Sequence, residues 1–433
     1  MVVCKFVSWP NSFIEKPSIM IQHITSHAGQ VWQGWKPGEY QVHFIHTGVA
    51  ESIFHIFPDG TTMLLDCGDH PALTRLEYAV PVVPNPGRLA GDWIARYIKR
   101  VIPQSCFKKG DLQVVDYMMI SHFHDDHTGY GGWQSADRER RDKRLPNCYR
   151  SGFVMAAEQL AFGKAIDRGW PDYNDPYPGC LKGDAFLSLD HILRMYKALQ
   201  QRDDLEIEKF RLGAKDQIVP VHEPSAIEGF EITNITANGK ILCKDGSIKD
   251  LYQEYLKTNP PLNENGMSLG IIVRYGAFSL FLAGDFSDLV NDKNGRRVVQ
   301  TEDLLADELP KVDVAKINHH GHESMPSKIV GALAPRAWIA PVWDQLHTLD
   351  HVMERLSDRN TYPGERIHFP TVFPKERYTT AASKSYFTDL APETFGLGAH
   401  IVVTVPPGGK NYRISCISAA DENMTILGEY LFD

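Results

Sequence analysis

The sequence predicts a mixed α/β protein in which two β-sheets pack together with helices outside them. Three observations predict it. Short apolar, β-rich runs outnumber helical patterns along the chain. Several of these runs are apolar at nearly every position, as strands buried on both faces are. Helical patterns alternate with the strands at several points instead of following them as one block.

The first forty residues carry little periodic signal and read as an N-terminal extension (1–40), ahead of one domain over 41–433. QVHFIHT (41–47), SIFHIFP (52–58) and TMLLDCG (62–68) read as strands, and the turn DGTT (59–62) predicts a hairpin between the last two. GDWIARYIKRVI (91–102) has apolar residues at helical spacing. VVDYMMI (114–120) has the character of a buried central strand. Residues 131–215 are charged and aromatic, with DRGWPDYNDPYPG (167–179) in the middle and a helix expected over 185–201. This segment reads as an insertion of helices and loops covering the site. Strands resume at FEITNIT (230–236), SLGIIVRY (268–275) and FSLFLAGD (278–285), and VDVAKIN (312–318) and RAWIAPV (336–342) read as two more buried strands. A helix is expected over LDHVMERLS (349–357), then strands at 400–405, 412–417 and 426–432.

Composition narrows the class. The chain has 433 residues, 43% hydrophobic and 23% charged, an ordinary globular balance with room for a large core. The net charge of −9 argues against non-specific binding to nucleic acid or anionic membrane. RERRDKR (138–144), the one dense basic run, reads as a solvated surface. Seven cysteines without a C-x-x-C pair argue against a disulfide framework or a cysteine zinc site and favour a reducing compartment. The N-terminus has no signal-peptide pattern and no apolar run reaches membrane length, so a cytoplasmic protein is expected.

Residues 121–130 read SHFHDDHTGY. On an extended segment leaving a strand, positions i and i+2 point the same way, so His122 and His124 can reach one ion. Asp126 and His127 follow where the chain must turn, and this pair can serve a second ion. Thr128-Gly129 and Gly131-Gly132 give the turn room for close backbone approach. Imidazole with carboxylate suits zinc, with iron or manganese as alternatives.

H-x-H-x-D-H after a buried apolar strand resembles the metallo-β-lactamase superfamily. Three more segments resemble that family in the expected order: TMLLDCGDH, FSLFLAGDF and VAKINHHGH. The HHG run and NENGMSLGIIVRYG (263–276) are similar to the competence-protein-type branch, which is related to DNA-uptake nucleases and phosphocholine esterases. The resemblance covers roughly residues 41–130 and 225–417. It implies a four-layer αβ/βα sandwich holding one or two divalent metals, zinc first. His122, His124, Asp126 and His127 would be ligands, Asp285 would bridge, and Asp66 would orient ligands from behind. The late ligand is His319 or His320. Position relative to the strand end favours His319, and His320 is then read as touching substrate. His322 stands where the branch has serine, and His347 holds the place of a later histidine. Asp125 is expected to face away, and Asp288 reads as a helix-start acid.

The middle histidine common in the superfamily has no clear counterpart. His191 sits in a helical pattern and reads as structural; His222 ends a short apolar run without diagnostic spacing. The first metal's coordination is therefore open. Trp170, Tyr173 and Tyr177 read as a packed loop, with a lid that stacks on substrate or cages a cationic head group as the alternative.

The resemblance implies hydrolysis by metal-activated water, tilted toward phosphodiesters or phosphoesters, with Asp126, Asp285 or His320 handling protons. A small-molecule or phosphodiester substrate fits better than nucleic acid. Hydrolysis of a lactone, thioester or other carboxylic ester on the same fold is one alternative. An iron enzyme handling oxygen or sulfur is the other.

Overall fold

The computed structural model describes residues 20–70, 80–129, 145, 148–223, 227–251, 263–287 and 301–433. Cys4, Gly131, Gly132, the basic run 138–144 and Asp288 lie outside the described residues. The described residues form two sheets. The first takes β1 (Ile21–Ile24), β2 (Tyr40–Phe44), β3 (Ser52–Ile56), β4 (Thr62–Cys67), β5 (Lys108–Lys109), β6 (Leu112–Met119), β7 (Leu160–Asp167) and β8 (Glu206–Lys209). The second takes β9 (Phe230–Ala237), β10 (Lys240–Leu242), β11 (Ile248–Asp250), β12 (Gly270–Tyr275), β13 (Phe278–Leu282), β14 (Val314–Lys316), β15 (Ala337–Ala340) and β16 (Ile367–Pro370). The chain then returns to the first sheet with β17 (Ala399–Val405), β18 (Tyr412–Ser418) and β19 (Ile426–Phe432). The strand orders are β1-β19-β18-β17-β2-β3-β4-β6-β7-β8, with β5 on β6, and β11-β10-β9-β12-β13-β14-β15-β16.

The apolar runs have a simple cause. In β4, Met63 and Leu65 face the cluster between the sheets while Leu64 and Cys67 face the helices outside. In β13, Leu280 and Leu282 face inward and Phe281 outward; in β15, Ala337 and Ile339 face inward and Trp338 and Ala340 outward. Side chains alternate across a strand, so a strand covered on both faces is apolar at every position. Each fully buried Leu, Ile or Phe contributes about 1.5–3 kcal/mol. The outer face of the first sheet packs α1 (Ala90–Val101), α3 (Phe153–Ala157) and α4 (Gly183–Asp203), the short α2 (Asp125–Thr128) lying between α1 and α3 in the chain. The helices Thr301–Ala306, Ser327–Leu333 and Asp350–Ser357 cover the second sheet. Among the described residues no helix is long and apolar enough to cross a membrane, and the six cysteines there are free.

Two readings change. Ile21–Ile24, inside the stretch read as an extension, pairs antiparallel with β19 and forms the edge strand of the first sheet. Residues 131–215 are more than helices and loops: β7 pairs parallel with β6, and β8 with β7. Gly163 and Lys164 interrupt the apolar pattern of β7, which hid the strand. A Cβ at Gly163 would lie 2.8 Å from Asp116 O on β6, so this strand approaches its neighbour closely there.

The core also carries buried imidazoles remote from the 121–130 segment. Burial pushes His43, His55, His368 and His400 down to about 3, and His46 likewise against a backbone hydrogen bond. His400 Nδ1 accepts from His46 N at 3.0 Å, which requires the neutral ring. Their folded values lie below the unfolded value of about 6.5. The unfolded chain therefore takes up protons first, and stability present above pH 6.5 is lost as pH falls toward 3. Each group removes up to about 1.4 kcal/mol per pH unit in that window. Thermal unfolding followed by circular dichroism is expected to show a midpoint dropping steeply below about pH 6; an unchanged midpoint down to pH 4 would contradict this.

Candidate metal centre

The site lies where five chain segments leave or enter strands at one edge of the two sheets. β4 ends beside Asp66, β6 runs into Ser121–His127, β13 into Gly284-Asp285, β14 into Asn318–His320, and Glu51 immediately precedes β3. Parallel pairing of β4 with β6, and of β13 with β14, sets these ends side by side.

Asp66 organises the first loop. Its carboxylate accepts from Ser121 N at 2.8 Å and from Ser121 Oγ at 2.6 Å, and meets His127 Nδ1 at 2.8 Å. One buried acid thus holds both ends of 121–127, and its backbone sits at φ 59, a strained conformation for a residue other than glycine. The backbone locks the same loop: Glu51 N donates to Asp126 O at 2.9 Å and Asp69 N to Asp125 O at 2.9 Å. Gly284, at φ 49, lets Asp285 turn back into the site; a Cβ there would lie 2.8 Å from Ser121 Cβ.

Four donors converge. His320 Nε2 lies 3.1 Å from Asp126 Oδ2 and 3.3 Å from Asp285 Oδ2. His127 Nε2 lies 3.2 Å from Asp285 Oδ2 and 3.6 Å from Asp126 Oδ2. Ligand atoms about 2.0–2.2 Å from a tetrahedral zinc lie about 3.3–3.6 Å apart, so these spacings fit. His127 Nε2 and Asp285 Oδ1 are buried without a hydrogen-bond partner. Buried polar atoms are normally satisfied, so the orphaned His127 Nε2 suits a cation, whereas His320 Nε2 already has Asp126 Oδ2 and, at 3.3 Å, the Trp343 indole N–H within hydrogen-bond distance, and Asp285 Oδ1 faces Lys316. Glu51, His127, Asp285 and His320 also form a group whose donor atoms all lie within 4.8 Å. His122 Nε2 and His124 Nδ1 stand 3.1 Å apart, with the His122 ring 4.2 Å from that of His127.

Without an ion, the acids and the imidazoles pair with one another. Burial would raise Asp126 and Asp285, yet His127 and His320 hold both well below the usual carboxylate range. Burial would lower His320, but Asp285 and Asp126 keep it up at about 9. His127 is held well above its ordinary value by Asp285, Asp126, Asp66 and Glu51, against burial. Burial pushes His122 well down and His319 to about 4, so these two rings are neutral.

Of the late histidines, the one that reaches the acids is His320, not the expected His319. Both residues have positive φ, 48 and 50, so the turn swings the second ring into the site. The His319 ring points to Asn265, whose Nδ2 is 3.1 Å from its Nε2. His347 stacks on His320 with ring centroids 4.9 Å apart, and exposed His322 stands 5.4 Å from His319. Asp125 meets His70 at 2.9 Å, away from the four donors. His222 is held by Asp116 at 3.1 Å and stacks near Phe107, outside the centre, and His191 is buried on α4. Tyr173 packs as a loop residue and not as a substrate platform. It is buried, its hydroxyl donates to Asp167 at 2.7 Å, and its ring meets Phe123. Trp170 packs on Tyr196, and Tyr177 is half-buried.

Sequence reasoning missed four buried charges: Glu51, Lys316, Arg168 and Glu264. Arg168 grips Glu264 through two bonds of 2.8 and 2.7 Å, and also bonds Asn238 Oδ1 at 2.8 Å. Glu264 Oε1 in turn accepts from Phe123 N at 3.1 Å, which fixes the peptide between His122 and His124. Arg168→Met leaves Glu264 buried without its partner. It is expected to cost about 3–5 kcal/mol in denaturant unfolding. Arg168→Lys should restore little of this, because one ammonium cannot replace the planar fork. Full stability in Arg168→Met would refute the clamp.

No protein-family model matches the chain, and no curated protein matches it.

Proposed function

We propose that the protein is a metal-dependent hydrolase on a four-layer αβ/βα, metallo-β-lactamase-like sandwich, acting on a phosphodiester or phosphoester. The observation that carries this reading is the convergence of Asp126, His127, Asp285 and His320 on one buried point. These four would hold a tight divalent ion, zinc first, and His122 with His124 would begin a second, weaker position. When bound, such an ion lowers the pKa of a coordinated water toward about 7 and polarises a substrate oxygen.

The chain's own residues do the rest. Asp126 and Asp285, held ionised by His127 and His320, are suited to the ligand role and are weak bases. Asp66 fixes the tautomer of His127 by taking its Nδ1 proton in a hydrogen bond, which leaves Nε2 free for the ion. Half-buried His124 and His319 and exposed His322 surround the centre with ring nitrogens. Such a rim favours substrate oxygens that carry negative charge, as a phosphoryl group does. The net charge of −9 favours a small substrate over a nucleic acid.

A panel of chromogenic phosphodiesters, phosphomonoesters, lactones and thioesters tests this, each assayed with zinc, manganese and iron. Phosphodiester turnover that a chelator abolishes is expected. Lactone or thioester turnover with silent phosphate esters would sink the substrate assignment while leaving the hydrolase.

A further inference from the structure

Behind the four donors lies another pair of charges. Glu51 and Lys316 are both fully buried, and Glu51 Oε2 is 3.1 Å from Lys316 Nζ. The same oxygen is 3.4 Å from His320 Nδ1. Nδ1 is the back of that ring: it donates to Pro341 O at 3.0 Å while Nε2 faces Asp126 and Asp285. His127 also has an acid behind its Nδ1, Asp66, but there in a hydrogen bond of 2.8 Å, whereas Glu51 stands 3.4 Å from His320 Nδ1 and the proton there goes to Pro341 O. Lys316 donates to Gly284 O at 2.7 Å and to Ile317 O at 3.2 Å, and its Nζ is 3.7 Å from Asp285 Oδ1. A buried ammonium is costly unless paired and hydrogen-bonded. This one holds the turn that carries Asp285 and the carboxylate behind His320 at once. Glu51 has a donor atom within 4.8 Å of those of His127, Asp285 and His320, and both its oxygens lack a hydrogen-bond partner, but its contact with His320 is to the Nδ1 side, away from Asp126.

We propose that Glu51 and Lys316 act as one positioning pair that keeps His320 and Asp285 in register, Glu51 from behind the imidazole and Lys316 from behind the carboxylate. The inference rests on the metal-centre reading above. Carboxylates behind ligating histidines set ring orientation and basicity; here the lysine joins that support to a second ligand.

Wild type, Glu51→Gln, Lys316→Met and the double variant are to be stripped of metal and titrated with cobalt(II). Affinity is read from chelator competition, coordination from the visible absorption bands, and folding from thermal unfolding of the metal-free forms. Glu51→Gln is expected to weaken cobalt binding by about 10–100-fold, the range for partners behind metal ligands, with the bands unmoved. Lys316→Met should do the same, and the double variant should lose no more than either single change, because the pair acts as a unit. If a single variant fails to fold, the double variant leaves neither charge unpaired and carries the comparison alone. Wild-type affinity in the variants, with only the unfolding midpoint lowered, would overturn the proposal. So would bands that move in Glu51→Gln as they do in Asp126→Asn, which would make Glu51 a ligand. A wild-type protein that takes up no cobalt overturns the metal reading and this inference together, so the two failures are distinguishable.

Discussion

Asp285→Asn is expected to abolish the centre. Asp285 Oδ2 is within 3.3 Å of both His127 Nε2 and His320 Nε2, and its other oxygen faces Lys316 at 3.7 Å. The amide keeps the size but loses the charge, and it brings an N–H toward a nitrogen or an ammonium whichever way it is turned. Partners behind ligands cost about 10–100-fold in affinity, so loss of a shared acid at the centre should exceed the upper end of that range. Zinc affinity by chelator competition and turnover of the best panel substrate should fall together. Retained affinity with lost turnover would instead make Asp285 a proton acceptor outside the ligand set.

The second large effect is expected at Gly68, far less conspicuous than any ligand. A Cβ on Gly68 would stand 1.7 Å from Asp126 O, 2.1 Å from Asp126 C and 2.7 Å from His127 N. All three are backbone atoms and none can rotate aside. Gly68→Ala must therefore push the end of β4 and the start of α2 apart, and α2 carries two of the four donors. A misplacement of about 1 Å at reacting groups costs about a hundredfold. The variant should keep its far-UV circular dichroism, melt at lower temperature, and lose at least about a hundredfold in turnover. Wild-type turnover would mean that the loop 121–127 is not held by this contact.

Much of this arrangement was legible from the chain alone, for identifiable reasons. His122, His124, Asp126 and His127 are neighbours in sequence and follow a strand whose apolar run is nearly continuous, broken by Asp116, so local pattern sufficed. Asp285 and the His319–His320 pair close equally plain strands. The choice between the two late histidines was not legible, because it depends on two consecutive left-handed residues that no propensity announces. Strand β1 was invisible for a different reason: two of its four residues are exposed and two half-buried, and they gain their structure from β19, at the other end of the chain. Glu51 and Arg168 act through partners distant in sequence. Lys316 did leave a signal, a lysine inside the buried run VDVAKIN, where a charge must have a partner.

One buried point near Asp126, His127, Asp285 and His320 is expected to hold a divalent ion. The most direct test is the metal content of the protein, purified without chelator and measured by mass spectrometry against protein concentration. At least one tightly held divalent ion per chain is expected, lost in Asp285→Asn. Metal-free protein that stays metal-free after equilibration with zinc, manganese and iron would contradict it.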